Sequence, residues 1–144
     1  MLSRRLFATG AWVLIALGLV HLMGHYSLVT AEGADETQRQ LLELMRGYRQ
    51  DLGAGFVRST MDLMTGFSLT FSILSVGVGV LDLVTLRHTP GVSPLLRGAG
   101  TVNAAIFGVM SAMAWRYWFS APLLFLVLAF LCFAASVVLS PRRG

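Results

Sequence analysis

The chain has 144 residues, of which 56% are hydrophobic and 12% charged. A soluble domain carries about 25% charged residues, so the composition excludes an ordinary water-soluble fold and directs the excess apolar surface to lipid. The net charge of +4 comes from eleven arginines and no lysine. Those arginines sit at the ends of apolar segments without forming a basic stripe, which excludes a nucleic-acid role, and the lack of lysine excludes Schiff-base chemistry.

The first apolar segment spans 6–26, just after Arg4 and Arg5. The two arginines and Val29-Thr30-Ala31 give it the look of a secretory signal, but its apolar run is longer than a signal core. It is expected to remain as a first membrane span. A polar stretch, Ala31 to Glu36, follows. Thr37-Gln38-Arg39-Gln40 offers a capping box, and Leu41, Met45, Tyr48, Leu52 and Phe56 then recur every three or four residues. That period predicts an amphipathic helix over 37–56, lying on the membrane surface. Gly53-Ala54-Gly55 breaks or bends its end.

Ser59-Thr60-Met61-Asp62 reads as a second capping box and opens a span over 61–86. Ser93-Pro94 opens a third over 94–118, and Ala121-Pro122 a fourth over 121–139, with proline in the first turn of each. About 20 apolar residues cross a hydrocarbon core about 30 Å thick. The backbone must satisfy itself there, so helices are expected. The short link between the last two spans predicts a tight antiparallel hairpin. The expected fold is all-α: one domain over 1–144, an integral membrane four-helix bundle with an extra amphipathic surface helix between spans one and two. With both termini cytoplasmic, Arg4, Arg5, Arg87, Arg97, Arg142 and Arg143 lie inside and Arg39, Arg46, Arg49, Arg58 and Arg116 outside. The count is nearly even, and the choice follows from the inner arginines flanking short segments, where the positive-inside rule works best.

Several residues carry candidate chemistry. His21 and His25 lie one turn apart near the outer end of span one and face the same way. With Asp62 and Arg116 they form a candidate ligand site beneath the surface helix. With Met61 and Met64 they form a candidate metal site, since thioether and imidazole suit Cu(I). A haem would need a ligand on an opposing helix, by His–Met ligation or a His21 pair across a homodimer, because His88 lies at the other end of span two. Neither haem nor copper is required by the sequence. The bland reading is two interfacial histidines near a helix C-terminus and methionine as a gap-filler.

Asp82 is an intramembrane acid, which by default marks function. The structural alternative pairs it with Arg87 or Arg97. Asn103 lies at comparable depth on span three. Trp115-Arg116-Tyr117-Trp118 reads as an interfacial anchor. Gly100, Ala104, Gly108 and Ala112 form a small-residue stripe for close helix packing. The lone Cys132 is expected to be buried and inert.

His21-Leu22-Met23-Gly24-His25, Met64-Thr65-Gly66-Phe67-Ser68-Leu69 and Leu81-Asp82-Leu83 together resemble a loose group of small four-span bacterial membrane proteins. The resemblance implies a four-helix bundle in a bacterial inner membrane and no activity.

No nucleophile–base pair, phosphate loop or closed ligand set is present, so no enzyme is expected. The sequence favours a non-enzymatic accessory or structural subunit of a membrane complex or homo-oligomer, held through the small-residue stripe and embedded in membrane lipid. Its alternatives are a lipid, quinone or small-solute binding protein with an outer-face site, and a haem or copper protein built on His21 and His25.

Overall fold

The structure is a computed structural model and describes residues 1–91 and 93–140. Five helices and one small hairpin follow in order: α1 Leu2–Val29, α2 Glu36–Gly47, β1 Arg49–Asp51, β2 Val57–Ser59, α3 Thr60–His88, α4 Pro94–Tyr117 and α5 Ser120–Val138. α1, α3, α4 and α5 are each long and apolar enough to cross a membrane. Arg142 and Arg143, counted above for orientation, lie outside the described residues.

Helix boundaries follow local chemistry. Ser59 and Asp62 cap α3 reciprocally: the Asp62 carboxylate accepts from the Ser59 amide at 2.9 Å, and the Ser59 hydroxyl accepts from the Asp62 amide at 3.1 Å. Ser93 accepts from the Leu96 amide at the start of α4, where Pro94 needs no amide partner.

The region between α1 and α3 corrects two expectations. The cap of α2 is Asp35, which accepts from the Gln38 amide at 2.8 Å, and not Thr37. The helix stops at Gly47 rather than running to Phe56. Tyr48 leaves helical geometry, and Arg49–Asp51 pairs antiparallel with Val57–Ser59, Arg49 opposite Ser59. Gly53, Ala54 and Gly55 all have positive φ, a turn conformation that a helix cannot contain. The period of three and four therefore joined a helix to a hairpin. Leu42, outside the expected apolar face, is the residue that α2 buries, while Leu41, Tyr48, Leu52 and Phe56 are exposed. Arg46 ties this region down by donating to the carbonyls of Val29 and Ala31 at the end of α1.

α1 lies between α3 and α5, and α4 lies against α5. The approach of α1 to α3 depends on two glycines. A Cβ on Gly18 would stand 2.7 Å from the Ser72 carbonyl oxygen, and one on Gly79 would stand 2.6 Å from that of Ala11. The helices run antiparallel with backbones almost touching, as small-residue contacts allow.

On the other side of α1, Phe133 of α5 fills the centre. Phe7 meets its ring edge-on at 5.3 Å, and Phe107 of α4 stacks on it at 6.1 Å. The α4 stripe is occupied within the chain: Gly100 faces Val137 and Gly108 faces Phe130, both on α5, while Ala104 is half-buried and Ala112 exposed. Cys132 is buried on α5.

α3 and α4 have little backbone proximity despite their short link. Side chains bridge them at two levels. Asn103 donates to the Asp82 carboxylate at 2.7 Å, and Phe71 meets Trp118 edge-on at 5.7 Å. The partner of Asp82 is thus Asn103, and neither Arg87 nor Arg97 pairs with it. Among the described residues the ion pair found is Arg39–Glu36, on exposed α2. At the same end of the bundle as Asp82, Arg4 donates to the carbonyls of Leu86, Thr89 and Gly91. Its guanidinium closes the C-terminus of α3, where a cation satisfies orphan carbonyls and the dipole together.

Candidate functional site

The end of the bundle opposite Arg4 holds a cavity. Its first lobe, about 460 Å³, lies between the last turns of α1, the first turns of α3 and the start of α5. A second lobe, about 560 Å³, extends toward the α4–α5 turn. His21, Ser68, Phe119 and Pro122 border both lobes.

His21 and His25 enter this space because they are one turn apart on α1 and share its inward face. Gly24 lies between them and leaves a gap in the wall. The His21 ring stands edge-on to Phe71 with centroids 4.7 Å apart. Phe71 in turn meets Trp118, so an imidazole and two aromatic rings form a continuous row. His25 lies deeper. It is 8% exposed, and its Nδ1 has no hydrogen-bond partner. Buried polar atoms are almost always paired, so this nitrogen is unusual. Met64 of α3 borders the same lobe.

The four proposed ligand residues do not converge. His21 and His25 line the cavity. Asp62 is engaged by Ser59 and borders a separate shallow depression with Arg49 and Arg58. Arg116 is exposed, its guanidinium over the Tyr117 ring at 5.5 Å, and it lines neither lobe. The metal set also divides. Met64 joins the histidines, but Met61 is buried outside the cavity wall. Among the described residues no three His, Cys, Asp or Glu side chains come together as metal ligands. A haem bound between His21 and His25 is ruled out by geometry, since both project from one face of one helix and cannot occupy opposite axial positions.

No protein-family model, curated protein or solved structure matches this chain. The site must therefore be read from its own walls. Among the described residues, no arginine, aspartate or glutamate lines either lobe. The polar groups are the two imidazoles, Ser68 and the rim of Tyr117 and Trp118. Leu17, Val20, Leu28 and Phe125 make up much of the remaining surface of the first lobe. Such a space suits a largely apolar molecule with one or two hydrogen-bonding atoms. It does not suit an ion or a phosphate.

The sequence marks the histidines as a pair but not their cavity. Nor does it mark Phe71, Trp118 and Ser68 as wall residues, or Ser72 and Ser75 as buried polar residues on α3. The signal available for the serines was their spacing. Ser68, Ser72 and Ser75 recur every four and three residues, which puts them on one helix face.

Proposed function

We propose that this is an integral protein of a bacterial inner membrane, crossing it four times with both termini cytoplasmic, and that it binds a small, largely apolar molecule at its outer end. The four long apolar helices support the membrane reading, because much of their outer surface is Leu, Ile, Val and Phe left exposed by the bundle. A water-soluble protein seldom leaves contiguous apolar surface of that extent uncovered. Arg39, Arg46, Arg49, Arg58 and Arg116 lie at the other end, so the orientation is supported by the placing of Arg4, Arg5, Arg87 and Arg97 beside short segments and not by their number. The resemblance to small four-span bacterial proteins supports the choice of membrane.

The observation that carries the binding reading is an apolar cavity bordered by the His21 and His25 imidazoles and Ser68, with no arginine, aspartate or glutamate in its walls among the described residues. A role as an accessory subunit held by the α4 stripe ranks behind it, since α5 already packs on that stripe. A copper or haem role ranks behind it as well, since only Met64 of the two methionines borders the lobe with His21 and His25.

The test is purification from membranes in mild detergent, followed by organic extraction and mass analysis. The reading expects a non-phospholipid molecule in near-stoichiometric amount, lost when Ser68→Phe fills the junction of the two lobes. Extracts of the two proteins that contain the same phospholipids and nothing else would reject it.

A further inference from the structure

The walls of the cavity narrow the class of molecule it takes. Resting on the binding reading above, we infer that the ligand is a neutral, ring-headed membrane lipid of the prenylated quinone or quinol class. Its ring occupies the first lobe, one ring oxygen hydrogen-bonds to the cavity-facing edge of the His25 imidazole, and its tail leaves through the second lobe into the bilayer.

Three features of the site lead there. No charged side chain borders either lobe among the described residues, so an anionic phosphate or carboxylate head would be buried without a counter-charge, which is strongly unfavourable. The walls are rich in rings: Phe125 and Phe119 in the first lobe, Phe71 and Trp118 in the second. Aromatic walls favour a flat partner that can stack or meet them edge-on, whereas a flexible acyl chain gains no such geometry. The polar groups that border the first lobe among the described residues are the imidazoles of His21 and His25 and the Ser68 hydroxyl, and His25 is more than nine-tenths buried. A quinone carbonyl accepts from an imidazole N–H, and a quinol hydroxyl donates to a bare imidazole nitrogen, so a single site serves both forms.

The second lobe supplies the way in. It is bordered by Phe67 on α3 and by Tyr117 and Phe119 at the α4–α5 turn, all largely exposed on the flank of the bundle. In a bilayer that flank meets lipid. A ligand already dissolved in the membrane reaches the histidines sideways between α3 and the α4–α5 turn. Phe71 and Trp118, edge-on at 5.7 Å, line its path.

The experiment uses the full chain in phosphatidylcholine nanodiscs with Trp12→Phe and Trp115→Phe, so that Trp118 is the one remaining tryptophan. A short-chain prenylated benzoquinone is titrated while Trp118 fluorescence is read, since quinones quench nearby indoles. The expected result is saturable quenching. His25→Leu weakens it about tenfold, the equivalent of one hydrogen bond to a buried group, and His25→Gln restores part of the loss. Ser68→Phe, the variant to rely on should His25→Leu not fold, abolishes saturation. Oleate and dioleoylglycerol fail to displace the quinone. Non-saturable quenching, or equal quenching in wild type and Ser68→Phe, overturns the inference. Displacement by oleate or dioleoylglycerol also overturns it while leaving the cavity as a lipid site. No saturable binding of any of the three probes removes the inference and the binding reading together.

Discussion

The contact between α1 and α3 gives the sharpest stability prediction. A methyl group added at Gly79 would lie 2.6 Å from the Ala11 carbonyl oxygen and 2.8 Å from Ile15 Cγ1. Ordinary carbon contacts begin at about 3.5 Å, so the helices must separate by about 0.7–0.9 Å. The nearer obstacle is backbone and cannot rotate away. Forcing one methyl group into such a contact costs about 1–3 kcal/mol. Alanine returns up to about 1 kcal/mol through helix propensity, leaving Gly79→Ala less stable than wild type by up to about 2 kcal/mol and less stable than an unobstructed Gly→Ala change on the same helix by about 1–3 kcal/mol. Gly77, two residues earlier on the same helix, is the control, since its added Cβ meets no atom within 4 Å. Gly77→Ala is therefore neutral or slightly stabilising. Unfolding of both variants in mixed detergent, followed by circular dichroism, measures the difference. Equal midpoints for the two would refute the close backbone approach.

Other variants probe other parts of the fold. Arg4→Met strips a donor from the carbonyls of Leu86, Thr89 and Gly91 and lowers stability by about 1–3 kcal/mol in the same assay; Arg4→Lys recovers only part of this, since an ammonium lacks the planar fork. Asn103→Leu removes the hydrogen bond to Asp82 and leaves a carboxylate buried without its donor, for a loss of about 2 kcal/mol. Asp82→Asn keeps an amide pair and removes the charge, so it is expected to be at least as stable as wild type by thermal unfolding. Gly55→Val forces a β-branched residue into positive φ at a cost of about 1–2 kcal/mol. It should speed hydrogen exchange at the Leu52 amide, which bonds to the Phe56 carbonyl, and leave the bundle's unfolding midpoint unchanged.

The four long helices were legible because each property that defines them is local: an uninterrupted apolar run, a proline or a cap at the start, and length. The Ser59–Asp62 box and the Ser93-Pro94 start were readable for the same reason. Periodicity misled between α1 and α3, where Leu41, Met45, Tyr48, Leu52 and Phe56 repeat at helical spacing across two different structures. Gly53-Ala54-Gly55 marked the break, but only three-dimensional pairing shows that the chain had already left the helix at Tyr48.

The candidate site was less legible. His21 and His25 stood out as a pair, and their shared face followed from spacing. Which residues oppose them depends on how helices cross, and that is decided by Gly18 and Gly79, whose partners lie more than fifty residues away in the chain. The grouping of His21 and His25 with Asp62 and Arg116 failed because placing residues at one end of a bundle does not say which way they face. Asp62 turns back to its own helix start and Arg116 turns outward to Tyr117. Asp82 followed the same pattern. Opposite charge suggested arginine, yet the residue directly across from it is Asn103.

The claim on which the functional account depends is that the His25 imidazole meets a bound molecule inside the bundle. Nitrogen-15 NMR of histidine-labelled protein in bilayers reports on that ring directly, with His25 assigned by comparison with His25→Gln. The ring-nitrogen resonances of His25 in protein carrying its co-purified lipid are expected to shift on delipidation and to return when the ligand is restored. His25 ring resonances identical before and after complete delipidation would contradict it.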